Sequence, residues 1–153
     1  MNALELRIPP LLLVLIMGVL MWLAAMLLPV FAMSIPWRMA IAVALAAAGG
    51  SIAVAGVLAF RRAHTTVNPT TPNASSTVVA SGIYRRTRNP MYLGFFCVLA
   101  GWSVYLSSVA AMLFLPLFVL YMNRFQIAPE ERALAAKFGT QYGAYLQEVR
   151  RWL

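Results

Sequence analysis

The sequence has few charged residues, and very few of them are negative. Of its 153 residues only 10% are charged while 62% are hydrophobic, and four acids stand against twelve lysines and arginines. A soluble domain carries about 25% charged residues, so this composition predicts a membrane protein with several spans. The length suits one domain, which we assign to residues 1–153.

Cysteine and histidine are almost absent, with one of each at Cys97 and His64. A single cysteine excludes an intramolecular disulfide, and these two side chains alone cannot form a zinc site, so we expect no metal. A lone loop histidine is most simply solvated. The net charge of +8 does not indicate a nucleic-acid partner, because the arginines lie at the ends of apolar runs rather than on a polar face.

Apolar runs dominate the remainder, and they predict an all-α polytopic bundle of about four transmembrane helices. The predicted spans are residues 11–33, 39–60, 90–106 and 109–127. The first is longer than the roughly 7–15 apolar residues of a cleaved signal peptide, which is its alternative interpretation. We expect kinks at Pro29 and Pro116. Ala42, Ala46 and Gly50 share a face that predicts close contact with another helix.

Polar segments connect and follow these spans. Residues 34–38 leave room only for a tight connection, and residues 61–89 contain turn-forming residues that require water, so they form a loop. Residues 129–151 repeat apolar residues at helical spacing and predict an amphipathic helix that lies on the membrane or caps the bundle. Arg150 or Arg151 at its end could bind an acidic head group, but we interpret them as solvated.

The arginines also predict the orientation. With four spans, the bases that flank the spans lie on one side, except for Arg38. That side is cytosolic by the positive-inside rule, so both termini, the loop and the tail helix face the cytosol. The expected location is a bacterial inner membrane.

Two adjacent acids at the predicted start of the tail helix have two explanations. Glu130 and Glu131 follow Pro129, and anions there complement the helix dipole by about 0.3–1 kcal/mol. Alternatively, they bind a ligand with an ammonium, a sulfonium or ribose hydroxyls, while Arg88 takes the opposite end of a zwitterion. Tyr92 either stacks on a cation or an adenine, or is an interfacial tyrosine.

Two motifs carry a family resemblance. The first is Gly82-x-Tyr84-x-x-x-Arg88-Asn89-Pro90-x-Tyr92-x-Gly94. The second is Glu130-Glu131-x-x-Leu134-x-x-x-Phe138-Gly139-x-x-Tyr142-x-x-Tyr145-x-x-x-Val149-x-Arg151. Together they resemble the isoprenylcysteine carboxyl methyltransferase family and its phospholipid methyltransferase relatives. The eukaryotic enzymes have histidine where this chain has Asn89, which cannot titrate and so cannot act as a base.

The resemblance implies S-adenosylmethionine as the methyl donor and a lipophilic acceptor in the membrane, either the carboxylate of a prenyl-cysteine-like compound or a phospholipid amine. It implies cofactor contacts at Tyr84, Arg88, Asn89, Pro90, Tyr92, Gly94, Glu130 and Glu131. Among these, the catalytic roles are expected at Arg88, Asn89 and Glu131. We expect the larger loss of cofactor affinity from Glu131, since Glu130 is nearer the connecting turn.

Two alternatives stay open. One is a sterol-type membrane reductase, which would use NADPH. The other is a small membrane protein without enzymatic activity. No charged residue lies in the middle of a predicted span, which argues against ion transport.

Overall fold

The fold is known from a computed structural model that describes residues 5–27, 34–63 and 77–153. Within these ranges it is an all-α bundle without β-strands, so the predicted fold class is confirmed. The helices are α1 (Pro10–Leu27), α2 (Ile35–Arg62), α3 (Pro90–Leu106), α4 (Val109–Met112), α5 (Phe114–Tyr121) and α6 (Ala128–Glu148), with a 3-10 helix at Gly82–Arg85 and a π-helix at Met122–Ile127. The predicted kink at Pro29 and the predicted solvation of His64 fall outside the described residues.

Four helical stretches are apolar enough to belong in a bilayer. Of the described helices, α1, α2 and the continuous stretch Val109–Glu148 are also long enough to cross it, while α3 has 17 residues. The apolar part of the last stretch ends near Ile127, before the acids begin. Large apolar side chains on the outer faces are exposed, such as Leu15 and Val43 at 61% each. Lipid is therefore the medium that covers these faces.

The contact between α2 and α3 depends on small residues. A Cβ on Gly94 would lie 2.4 Å from the backbone oxygen of Gly49, so the two backbones approach too closely for any other residue. Ala42 and Ala46 contact α3 as predicted. Gly50 was predicted wrongly, because nothing lies within 4 Å of a Cβ placed there. A helix turns about 100° per residue, so Gly49 lies only about 20° away from the face of Ala42 and meets α3, whereas Gly50 lies about 80° away from it.

The predicted connection at residues 34–38 is wrong, because α2 already begins at Ile35. Pro36 suggested a break, but proline is well tolerated in the first helical turn, where its missing N–H would have no partner anyway. Arg38 consequently lies on the helix, and its Nη1 donates to Ser107 Oγ over 3.3 Å. This bond brings the start of α2 beside the end of α3.

The turn after α3 is sharp and the next helix is interrupted. Ser107 adopts a left-handed conformation, with φ of 50°, and the side chain of Ser108 accepts from Ala111 N over 3.4 Å. The interruption expected at Pro116 falls at Leu113, between α4 and α5. Pro116 has no N–H to donate to the carbonyl four residues earlier, so the helical hydrogen bonding fails just before it.

The tail departs from the single helix predicted at residues 129–151. It breaks at Gly139, where φ is 50° and ψ is −122°, and it ends at Glu148. Only glycine adopts such angles without strain, so the sequence permits the break at this position. Beyond the break, Tyr145 donates its hydroxyl hydrogen to the carbonyl of Tyr84 over 2.8 Å. The tail therefore caps the end of the bundle.

The N-terminal lead is fastened at the same end. Leu6 N donates to Phe125 O over 3.0 Å. Glu5 is buried and pairs with Arg132 at 2.8 Å and with Arg124 at 3.5 Å. Residues 5 and 6, the π-helix and the start of α6 thus lie together.

Candidate functional site

The segment that leads into α3 is held by the last residues of the chain. Arg88 N donates to the carbonyl of Arg150 over 3.0 Å, and Asn89 Nδ2 donates to the carbonyl of Arg151 over 2.9 Å. Thr87 Oγ1 donates to that same carbonyl over 3.4 Å. The Asn89 amide is therefore used to hold the C-terminal segment against the start of α3, which is a positioning contact.

Glu131 lies between two guanidinium groups. Its Oε1 is 3.0 Å from Arg88 Nη1 and accepts from Arg151 Nε over 3.2 Å, while its Oε2 is 2.5 Å from Arg151 Nη2. The side chains of Arg88 and Glu131 are only 14% and 16% exposed, so each charge needs this partner. The interpretation of Arg151 as a solvated residue is wrong. The two-pronged contact fixes the orientation of Arg151, while Arg88 is held by one contact through its Nη1.

Arg88 keeps one donor free for a ligand. Its Nε is buried and finds no hydrogen-bond partner among the described residues. A buried N–H without an acceptor costs free energy, typically about 1–3 kcal/mol, unless something binds there. An anionic group placed beside Arg88 would remove that cost.

Glu130 has a different environment from its neighbour. Tyr92 donates its hydroxyl hydrogen to Glu130 Oε1 over 2.6 Å, and Gln126 Nε2 donates to the same oxygen over 2.5 Å. Both bonds end on Oε1, so within the described part of the chain Oε2 is left to accept from a ligand. Burial raises the pKa of Glu130 from 4.5 to about 7, against the lowering effect of these two hydrogen bonds.

The dipole explanation for the acidic pair loses its basis in the structure. α6 has no free N-terminus, because Ile127 is helical and the N–H of Ala128 donates to Asn123 O in the preceding π-helix. The N–H groups that an anion would complement at a helix start are thus already in use around this junction. Pro129 has no N–H to donate. It follows directly after the π-helix, where the regular hydrogen bonding of an α-helix is already interrupted.

The tyrosines separate into two groups. Tyr84 is buried and packs edge-on against Phe60, with ring centres 5.2 Å apart. Its carbonyl accepts the hydrogen bond from Tyr145, so Tyr84 supports the tail. Tyr142 lies within electrostatic reach of the ion pairs. Burial first, and then Glu131, raise the pKa of Tyr142 to about 12, although Arg88 lowers it. Tyr142 is therefore neutral near pH 7 and offers a ring beside the charged groups.

Two predicted site residues contact α2. A Cβ on Gly56 would lie 3.2 Å from Pro90 Cγ, and Gly94 meets the backbone of α2 as described above. Both residues are buried. Pro90 and Gly94 thus set how closely α3 packs, while Arg88, Tyr92, Glu130 and Glu131 present their polar groups at the end of the bundle.

Three residues of the arrangement were not among the sequence predictions for the site: Gln126, Tyr142 and Arg151. Gln126 had a usable signal, since an amide four residues before Glu130 shares its helix face and stands at the end of an apolar run. Arg151 closes the second sequence motif, but the excess of bases over acids gives no indication of which acid it pairs with. Only the fold brings residue 151 back to the start of α3.

The comparisons with known proteins agree with the resemblance that the two sequence motifs carry. A model of the phospholipid methyltransferase family matches residues 37–141, from the first turn of α2 to just past the break in α6. A Haemophilus influenzae protein described as uncharacterized is 46% identical over 63 residues, which are 100% of that protein and 41% of this chain. No solved structure matches significantly.

Proposed function

The chain belongs to the phospholipid methyltransferase family, and we propose that it transfers a methyl group from S-adenosylmethionine to a lipid-borne acceptor. Membership implies a methyltransferase, and the long apolar helices make it an integral membrane protein. The observation that carries the cofactor proposal is the pairing, at one end of the bundle, of an unpartnered buried arginine N–H with a carboxylate oxygen left to accept.

These two groups fit the amino-acid end of S-adenosylmethionine. Its carboxylate would accept from Arg88 Nε, and its ammonium would donate to Glu130 Oε2. Hydrogen bonds to charged groups are worth about 1.5–3 kcal/mol each, so the pair would account for a substantial part of a micromolar affinity. Tyr92 and Gln126 hold the Glu130 carboxylate in place from the other oxygen.

Glu131 has a different proposed role from Glu130. Its carboxylate is engaged by Arg88 and Arg151, so it orients the arginine that receives the cofactor's carboxylate. The sequence favoured Glu131 as the stronger contact with the ammonium, and the ion pairs lead us to propose Glu130 in its place. Asn89 likewise acts by holding the C-terminal segment that carries Arg151.

When bound, S-adenosylmethionine supplies a sulfonium methyl group, which the acceptor's lone pair takes while a neutral thioether leaves. A carboxylate acceptor is already ionised near pH 7 and needs no base. An amine acceptor must first release a proton to a base, and Glu130 cannot take that role while it holds the cofactor's ammonium. The chain's main contribution is to position both reactants at the edge of the apolar bundle.

We also propose that this end of the bundle faces the cytosol of a bacterium, with both termini and residues 64–76 on that side. The arginines at the end of α2 and before α3 support this orientation. The cofactor would enter from water, and the lipid from the side, between the helices.

The test is a calorimetric titration of the purified protein with S-adenosylmethionine and, separately, with NADPH. We expect binding of the first and not of the second. Transfer is then measured with radiolabelled methyl groups in vesicles that contain either phosphatidylethanolamine or a farnesylated cysteine analogue. Binding of NADPH alone would refute the proposal in favour of a reductase, and label in neither lipid would refute both acceptor classes.

A further inference from the structure

At the end of the bundle opposite the candidate site, one cation has no acidic partner. The guanidinium of Arg38 donates to Ser107 and lies 5.7 Å from the ring centre of Tyr105. Arg38 Nε is buried and, within the described ranges, makes no hydrogen bond. The four acids of the chain all belong to the other end: Glu5, Glu130, Glu131 and Glu148. The protein itself therefore supplies no counter-ion for Arg38.

An apolar cleft of about 850 Å³ lies beside this arginine, between α1, α2 and α3. Its lining includes Gly18, Trp22, Met39, Val43, Trp102 and Tyr105. Met39 is the neighbour of Arg38 in sequence, and Tyr105 carries the guanidinium over its ring. The cleft thus lies next to the cation, with Met39 and Tyr105 between them.

The position and volume of the cleft indicate a lipid chain. Its lining comes from the middle of α1, the second half of α3 and the first half of α2, so it extends from mid-membrane into the half away from the candidate site. Val19 and Val43 line it and are 55% and 61% exposed, so it is open to the bilayer. The volume falls within the roughly 300–1,000 Å³ of ligand sites.

We propose that Arg38 and this cleft bind an anionic phospholipid, with the phosphate on Arg38 and one acyl chain in the cleft. The charge argues for this occupant, because an arginine fork matches phosphate and the anions at this depth are lipid headgroups. The lipid belongs to the leaflet opposite the candidate site, so it is distinct from the proposed methyl acceptor. The inference does not depend on the proposed reaction.

Tryptophan fluorescence tests it, since Trp22 and Trp102 line the cleft. The protein, with the exposed Trp37 changed to phenylalanine, is placed in phosphatidylcholine vesicles that contain a minor fraction of brominated phosphatidylglycerol. A parallel sample contains the same fraction of brominated phosphatidylcholine. We expect the anionic lipid to quench with about fivefold higher apparent affinity, the ratio expected for one arginine at a membrane surface.

Three variants separate the explanations. Arg38→Gln should remove the preference, while Arg61→Gln, an exposed arginine at the other end of α2, should keep it. Gly18→Leu should lower quenching by both lipids, because Gly18 lines the cleft and nothing lies within 4 Å of a Cβ placed there, so the added side chain extends into the cleft. It tests the cleft even if Arg38→Gln does not fold.

Several results would overturn the proposal. These are equal quenching by the two lipids in the parent protein, an unchanged preference in Arg38→Gln, an equal loss in Arg61→Gln, or full quenching in Gly18→Leu. Inorganic phosphate is added to the aqueous phase as a further arm. If it abolishes the preference, the site binds a free anion, and the lipid assignment is wrong.

Discussion

Replacing Glu130 by glutamine separates a ligand contact from a purely structural carboxylate. If Glu130 accepts from the ammonium of S-adenosylmethionine, its loss should weaken binding by about 1.5–3 kcal/mol at pH 8, or roughly ten- to a hundredfold. Glutamine keeps an oxygen for Tyr92 and for Gln126, so the local hydrogen bonds survive. Glu148→Gln is the matched control, because Glu148 is an exposed carboxylate on the same helix.

The pH dependence gives a second and independent readout. The pKa of Glu130 in the folded protein is raised from 4.5 to about 7, so between these values the folded state holds a proton that the unfolded state has lost. The free energy of unfolding therefore falls by at most about 3 kcal/mol as pH rises from about 4.5 to 7. Above pH 7 it is level. The difference between wild type and Glu130→Gln should show this slope, whereas Glu148→Gln should not change it.

Cofactor affinity should move in the opposite direction. A protonated carboxyl does not attract an ammonium, so wild-type affinity should fall as pH drops below about 7, by up to tenfold per unit. Glu130→Gln should bind weakly at every pH. Titrations at pH 6, 7 and 8, with apo melting curves in micelles, measure both effects. Wild-type affinity in Glu130→Gln at pH 8 would refute the reasoning and leave Glu130 as a buried structural carboxyl.

Three further predictions concern the framework. Gly94→Leu should prevent α2 and α3 from packing and give aggregated protein on gel filtration, whereas Gly50→Leu, with open space around it, should purify like the wild type. Gly139→Ala should lower the free energy of unfolding by about 1–3 kcal/mol because φ there is positive, and an unchanged melting temperature would contradict this. In a background without the native cysteine, a cysteine at Thr71 should be labelled from the cytosol and one at Ser34 from outside; labelling from one side would disprove the orientation.

How far the sequence predicts the structure depends on the range of the interaction. The predicted span 90–106 coincides with α3, because Pro90 marks a helix start and the serines after it mark the end. The predicted break at 34–38 failed because proline also occurs inside a first turn. The resemblance gave Arg88, Glu130 and Glu131. Its second motif includes Arg151 but did not give the pairing of Arg151 with Glu131, since that ion pair closes only when the tail has broken at Gly139 and turned back.

The distribution of charge connects the two ends of the molecule. Glu5 and Glu131 each lie between two arginines, so at the end that carries the candidate site these acids, whose side chains are 4% and 16% exposed, have cationic partners. Glu130 pairs with no base there and is held by neutral donors, which is what a carboxylate needs if a cationic ligand is to bind it. Arg38 at the far end is the complementary case, a cation held by a hydroxyl and a ring. In a chain with four acids, an ionisable group held by neutral partners marks a place where a ligand can supply the missing charge, and Glu130 and Arg38 are such groups of opposite sign.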